Sequence, residues 1–374
     1  MEKRGLVEKV VRDTLKKADI EIGGNRPWDL RVKDQRFFWR AFRDRNLGVG
    51  EAFMDGWVEC DHWDQFSDRF CRTVSTRQLP FSLSAFLHGL RDIALNLGTK
   101  SRAFTVGERH YDIGNDLYER MLDKRMVYTC GYWKDAADLD SAQEAKLDLV
   151  CRKVGLKEGM KVLDIGCGWG SFAKFAAERY GAHVTGVTVS KEQLELAERS
   201  CAGLPVEFKL QDYRDITGQF DAVVSLGMFE HVGCKNYRTY MEVVDRTLKD
   251  DGLFLLHTIG GNTSVKGTDP WIDRYIFPNS MLPSAVQITR AVEGLFVLED
   301  WHSFGAYYDR TLMAWYENFA RSWSELSAKY DERFRRMWEY YLLTCAGTFR
   351  ARSNQLLQVV LSKRGVPGGY ESIR

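Results

Sequence analysis

Three glycines at alternate positions, Gly166, Gly168 and Gly170, lie in the stretch Val162–Ser171 (VLDIGCGWGS), between an apolar run and the start of an amphipathic segment. Glycine reaches left-handed backbone conformations without steric cost and lets the main chain approach a ligand closely. A strand that ends in such a turn and feeds a helix is a strong local constraint, and the flanking residues repeat the pattern. AQEAKLDLVCRKVGL and KEQLELAERSCAG carry apolar residues at helical spacing, the second running to Gly203 as a C-cap. KVLDIGCGWGSF, AHVTGVTVS, VEFKLQD, FDAVVSLGMF and GLFLLHTIG read as buried strands, with FVLEDWHSF and LLQVVLSK completing the sheet's edge. Strands alternating with helices predict parallel βαβ units. The expected fold is α/β, a doubly wound, mostly parallel seven-stranded sheet with a smaller, mainly helical N-terminal domain. Ligands of such sheets bind beyond the carboxyl ends of the strands, where this glycine turn would lie.

The 374 residues allow about two domains. Residues 1–95 read as a helical unit rich in Trp, Phe and Arg, 96–115 as a linker, and 116–374 as the ligand-binding domain. With 53 basic against 52 acidic side chains, no global field favours nucleic acid, and no nucleic-acid partner is expected. Eight cysteines without a CxxC pair fit neither a zinc site nor a disulfide ladder, so no metal and a reducing, cytoplasmic compartment are expected. The N-terminus lacks the apolar core of a signal peptide, and no run of about 18 apolar residues is present. Membrane contact would then be peripheral. Two basic regions bear on it: residues 1–45, with 13 basic and 8 acidic side chains, and 329–364, with 8 and 3. Either can be a solvated amphipathic helix or a surface for anionic headgroups. The aromatic content of 13% suits well-filled cores and also a lipid-facing cavity.

The glycine spacing is G-x-G-x-G rather than the G-x-G-x-x-G of dinucleotide sites, which disfavours a nicotinamide enzyme. VLDIGCGWG resembles the first motif of class I S-adenosylmethionine-dependent methyltransferases. The acid usual after the second strand of that superfamily is missing; Thr188, Ser190 and Gln193 stand there instead. ERHYDIGNDLYERMLDKRMVYTCGYW (108–133), GVTVSKEQ (186–193), SLGMFEHVG (225–233) and SFGAYYDRTLMAWYENF (303–319), together with the glycine loop, resemble cyclopropane-fatty-acyl-phospholipid synthases over essentially the whole chain. That family carries a Thr/Gln pattern where others place the acid.

The resemblance implies methylene transfer from S-adenosylmethionine to the cis double bond of unsaturated phospholipid acyl chains. The ring would form through a carbocation deprotonated by bound bicarbonate. It also implies a lipid-docking N-terminal domain, a homodimer, and peripheral association at the inner face of the membrane. Carried over residue by residue, it places Cys130, Glu230, His257, Ile259 and Tyr308 at the bicarbonate, Ile259 through its backbone. Tyr128, Thr129, Asp164, Gly166, Gly168, Thr188, Gln193 and Asp212 are assigned to the cofactor. On local sequence alone, Cys130 reads equally as a small buried hydrophobe, Glu230 as an acid at a helix start, and His257 as a satisfied core histidine. Thr188, Gln193 and Asp212 read as solvated or capping residues. Competing functions are a C-methyltransferase that leaves a methyl branch on the same alkene, and a non-catalytic membrane-binding protein on this scaffold.

Overall fold

The apolar runs around the glycine turn form the middle of a seven-stranded sheet. In this computed structural model, which describes residues 2–74 and 114–374, the strands are β1 (Lys161–Ile165), β2 (His183–Thr188), β3 (Val206–Leu210), β4 (Phe220–Leu226), β5 (Leu248–Gly261), β6 (Val297–Ser303) and β7 (Asn354–Ser362). Their spatial order is β3-β2-β1-β4-β5-β7-β6. β1 runs parallel to both β2 and β4, β2 to β3, and β4 to β5, whereas β6 pairs antiparallel with β7. The two segments expected at the edge, FVLEDWHSF and LLQVVLSK, supply β6 and β7.

Side chains alternate across a strand, and here both faces are buried. Val162, Ala222, Val224 and Leu255 enter a core with Leu147, Val150, Phe172 and Phe175, from helices Leu139–Lys153 and Ser171–Tyr180. Leu163, Ile165, Val223 and Leu256 enter the opposite core with Tyr240, Val244 and Ile288, from helices Tyr237–Thr247 and Ala285–Val292. Each fully buried aliphatic side chain contributes roughly 1.5–3 kcal/mol, which makes these two layers the main anchor of the sheet. The helix 139–153 starts at a capping box, in which Asp138 accepts from the Ser141 amide and Ser141 answers at the Asp138 amide. Helix Lys191–Ser200 ends three residues earlier than the expected stop at Gly203. The chain turns at Cys201, whose carbonyl accepts from the Leu204 amide, and Gly203 supplies the left-handed residue of that turn.

This sheet unit holds 114–265, 279–307 and 355–374 of the described residues. A second unit combines the N-terminal segment with 266–278 and 308–354, so the expected continuous domain 116–374 is divided. The reason is aromatic: Tyr340 packs edge-on against Trp63 (5.0 Å) and Trp271 (4.8 Å), and its tilted contact with Phe53 spans 6.1 Å. Helix Glu332–Arg350 therefore buries its apolar face against helices Trp63–Thr73 and Arg36–Met54. At Gly347 an added Cβ would lie 2.3 Å from the Asp64 carbonyl, so the close approach requires glycine. Arg350 ties this helix to Trp63–Thr73 through Asp64 (2.6 Å) and to helix Ala306–Leu326 through Asp309 (2.9 Å).

The basic run 329–364 is largely internally paired. Arg333 meets Asp55 at 3.0 Å, Arg336 meets Glu59 at 2.7 Å, and Arg335 bridges Glu332 and Glu339. Apart from Gly114 and Asn115, the expected linker 96–115 lies outside the described residues. No helix among the described residues is long and apolar enough to cross a membrane.

Candidate active site

From β1 the chain moves outward through β2 and β3, then returns to place β4 on the other side of β1. The carboxyl ends of β1 and β4 thus frame a topological switch point, where open α/β sheets bind ligands. Gly166 opens the loop there with φ 83°, and its amide donates to the Val187 carbonyl at 3.0 Å. A Cβ on Gly166 would sit 2.7 Å from the Met228 side chain, whereas one on Gly168 would meet open space. The loop is braced from outside by the Trp169 indole, which donates to Asn115 Oδ1 at 3.0 Å. Tyr118 packs between Trp169 (4.9 Å) and Tyr128 (5.2 Å), carrying that brace to Tyr128. Asp164, two residues before Gly166, is buried, and its Oδ2 has no hydrogen-bond partner among the described residues. Burial pushes its carboxyl up to about 7, against the pull of the Lys146 ammonium.

At the end of β2, the Thr188 hydroxyl donates to Gln193 Oε1 at 3.2 Å and accepts from the Ser190 amide at 3.2 Å. Ser190 caps the helix that carries Gln193. The expected pair, Thr188 and Gln193, is therefore brought together and buried. Asp212, after β3, is also buried, but its Oδ1 accepts from the Arg214 amide at 3.0 Å, a capping role.

Thr129 is fixed from two sides. Gln143 Nε2 donates to its carbonyl at 2.7 Å, and Lys146 Nζ to its hydroxyl at 2.9 Å. Its methyl faces Gly227, where an added Cβ would come within 2.6 Å. The Gly227 amide in turn donates to the His257 carbonyl at 2.9 Å. Segment 128–130 is thereby set against the ends of β4 and β5.

Glu230 follows β4 in a short turn of 3-10 helix, Phe229–His231. Its Oε1 accepts from the Ile259 amide at 2.7 Å, and its Oε2 is buried without a hydrogen-bond partner among the described residues. Burial pushes the carboxyl up to about 7 even though the Ile259 amide opposes it. The backbone donor expected of Ile259 is thus committed to Glu230. His257 on β5 is buried, and Gln358 Nε2 on β7 lies 3.2 Å from its Nδ1. With the Gln358 amide as donor, the imidazole proton resides on Nε2, which is buried without a partner among the described residues. Burial holds this ring neutral by pushing its pKa well below the usual histidine value. The Cys130 thiol is buried and lies 3.3 Å from the Gly131 carbonyl. Tyr308 belongs to the other unit, where its ring packs on Phe349 (4.5 Å) and Trp315 (6.0 Å).

Residues 99–359 match the sequence profile of the mycolic acid cyclopropane synthetase family. The chain belongs to that family. It is 53% identical over 366 residues to the cyclopropane-fatty-acyl-phospholipid synthase of Escherichia coli K12, covering 98% of this chain and 96% of that protein. A probable fatty acid methyltransferase of Pseudomonas putida is 38% identical over 276 residues, 70% of each chain. Among solved structures, a cyclopropane synthase from Mycobacterium tuberculosis superposes with a TM-score of 0.67 at 30% identity, covering 72% of this chain and 100% of that one. A mycolic acid cyclopropane synthase solved with SAH and CTAB gives 0.64 at 30% identity, covering 70% and 98%. The sheet is accordingly that of S-adenosylmethionine-dependent methyltransferases, and the chain is an enzyme of the cyclopropane synthase family.

The switch-point crevice of this cyclopropane synthase family member fits an adenosyl cofactor: an open Gly168, a buried orphan carboxylate oxygen on Asp164, and a paired Thr188 and Gln193. Gly166→Ala is expected to weaken S-adenosylmethionine binding by about tenfold or more, because the left-handed backbone is strained by roughly 1–3 kcal/mol and the Met228 side chain must move. Calorimetry measures it, and an unchanged affinity would show that the loop does not shape the cofactor site. Lys146, Gln143 and Gln358 escaped the sequence reading. Their signal was there: Gln143 and Lys146 fall on the buried stripe of an amphipathic helix, and Gln358 is a lone polar residue in the apolar run LLQVVL.

Proposed function

We propose that this enzyme transfers a methylene group from S-adenosylmethionine to the cis double bond of unsaturated phospholipid acyl chains, closing a cyclopropane ring. The observation that supports this reading best is that Glu230 Oε2, in the turn after β4, and His257 Nε2, on β5 opposite the last residue of β4, are both buried and without a hydrogen-bond partner among the described residues. Leaving polar atoms unsatisfied costs about 1–3 kcal/mol each, so such a pair favours a small polar guest. A neutral histidine N–H and a carboxyl that titrates near 7 suit bicarbonate, the first by donating and the second by donating or accepting a proton. When bound, S-adenosylmethionine supplies an activated methyl and bicarbonate a base for the proton this methyl must lose for the ring to close.

The protein's own part is positioning and exclusion of water. The alkene is a poor nucleophile, and alignment with the methyl is worth ~7–11 kcal/mol of the barrier. The carbocation formed on the chain must meet no water, which buried groups at Cys130, Glu230 and His257 favour. By resemblance, Cys130, through its backbone or thiol, joins the proposed anion set, with Tyr128, Thr129, Asp164, Gly166, Gly168, Thr188, Gln193 and Asp212 on the cofactor. We further propose that the protein works as a homodimer, peripherally on the cytoplasmic face of the membrane.

Purified protein incubated with S-adenosylmethionine and unsaturated-phospholipid vesicles should yield acyl chains heavier by one methylene and resistant to alkene cleavage. The same mass with a remaining double bond, or with a methyl branch, would replace this reading with the runner-up, which the 38% identity to a probable fatty acid methyltransferase supports. Unchanged chains with intact vesicle binding would overturn the enzyme's assignment to phospholipid.

A further inference from the structure

Gln358 is the one polar residue in the buried run 356–361 of β7. Its neighbours Leu357, Val359 and Leu361 enter one core, whereas Val360 joins Leu255 in the other. Alternation therefore puts Gln358 on the face of Val360, and His257, two residues after Leu255, on that same face of the sheet. A leucine would pack there with no polar group to satisfy, whereas a buried amide destabilises the strand unless it is paired. Among the described residues this amide has one partner: Nε2 lies 3.2 Å from His257 Nδ1. Its Oε1 has none among them. His302 stands opposite Gln358 in the pairing of β6 with β7, but the His302 Nδ1 meets Lys153 Nζ at 3.1 Å. Phe304 packs against both imidazoles, 6.1 Å from His257 and 4.8 Å from His302. The His257 ring is thus held at Nδ1 by an amide and on its flank by an aromatic ring.

The hydrogen bond at one ring nitrogen decides what the other can do. A neutral imidazole that accepts at Nδ1 carries its proton on Nε2, and one that donates at Nδ1 offers Nε2 as an acceptor. The amide selects between these forms. Turned over, Gln358 would take the Nδ1 proton on Oε1 and bury an NH2 group with both protons unpaired. As it stands, the orphan is a carbonyl oxygen, and buried carbonyls go unpaired more readily than buried N–H groups do.

We propose that Gln358 is a positioning residue of the anion site: its amide fixes His257 in the Nε2–H form, so that the ring presents a donor to bicarbonate. This role rests on the reading of His257 as a bicarbonate ligand, but the tautomer is a property of the protein alone.

Nitrogen NMR on the full chain labelled with 15N-histidine reads it directly, the His257 signal being assigned by its loss in His257→Asn. Wild type should show the proton on Nε2. In Gln358→Leu the second tautomer should appear, and turnover on vesicle substrate should fall by roughly tenfold to a hundredfold, the range for removing a partner that orients a histidine. Calorimetry should find S-adenosylmethionine affinity unchanged. Gln358→Met reads the same shift if the leucine variant does not fold. A proton on Nδ1 in wild type would overturn the proposal. So would an unmoved Nε2–H signal in the variants, which marks a glutamine that only fills the strand. A tautomer that shifts while turnover stays normal would instead take His257 out of the reaction, failing that reading and leaving the hold of Gln358 on the ring in place.

Discussion

Glu230→Gln is expected to lower turnover by at least about a hundredfold, the range for removal of a positioned acid–base group, while leaving S-adenosylmethionine affinity almost unchanged. The variant isolates one atom. Glutamine keeps the shape, and its carbonyl oxygen can still accept from the Ile259 amide, the 2.7 Å bond that seats the side chain. What changes is the position of Oε2, now a permanent NH2 donor in a buried place where the native group has no partner of its own. A carboxyl that burial has pushed up to about 7 exists in both protonation states at neutral pH, and so can meet a small oxyanion in either of two charge states. The amide has only one. Steady-state kinetics with vesicle substrate gives the turnover, and calorimetry the cofactor affinity. Near-normal turnover would remove Glu230 from the mechanism, and a parallel loss of cofactor affinity would move it from the anion pocket to the cofactor.

How much of this site could be read in the sequence depends on whether a residue acts through local or distant neighbours. The glycine loop, Thr188 and Gln193 were legible because each is shaped by the few residues around it: a left-handed turn after β1, and a serine cap that presents Gln193. Glu230 follows one apolar run and His257 closes another, LFLLH, and the parallel pairing of β4 with β5 sets His257 opposite Leu226, the last residue of β4. Lys146 was missed because its meaning lies in Thr129, 17 residues away, and Gln358 because its partner His257 is 101 residues away. The division into units was hidden for the same reason. Nothing local to Trp338 or Tyr340 states that their helix packs on Trp63, more than 270 residues away. At Asp212 a local signal was legible instead: the residue that follows β3 caps the next turn through the Arg214 amide, the capping reading open to it from sequence.

The largest stability effect is expected at Asp300, on the edge strand β6. Its carboxylate lies 3.4 Å from the Lys153 ammonium and accepts from Arg374 at 2.6 and 2.7 Å and from Ser372 at 2.9 Å. Lys153 is fully buried, and among the described residues its ammonium's other polar partner is His302 Nδ1 at 3.1 Å. Removing one partner of a buried pair costs about 3–5 kcal/mol, because the other charge stays buried. Asp300→Ala should therefore lower the melting temperature by about 10 °C. Lys153→Met should cost much less, since Asp300 keeps Arg374 and Ser372, and the double variant Lys153→Met with Asp300→Leu should recover most of the loss. The pH dependence supplies the sign. Asp300 is held down to about 2 against an ordinary 3.8, so its contribution is full above 3.8 and is lost as pH falls through about 2. Lys153 is pulled from 10.5 to about 8 by burial, so between these values the unfolded chain binds the extra proton and stability rises with pH. Denaturant unfolding of wild type and both single variants at pH 3, 7 and 9.5 would measure each slope. An Asp300→Ala variant as stable as wild type at pH 7 would mean that Lys153 is neutral in the folded protein and that the cluster is held by packing alone.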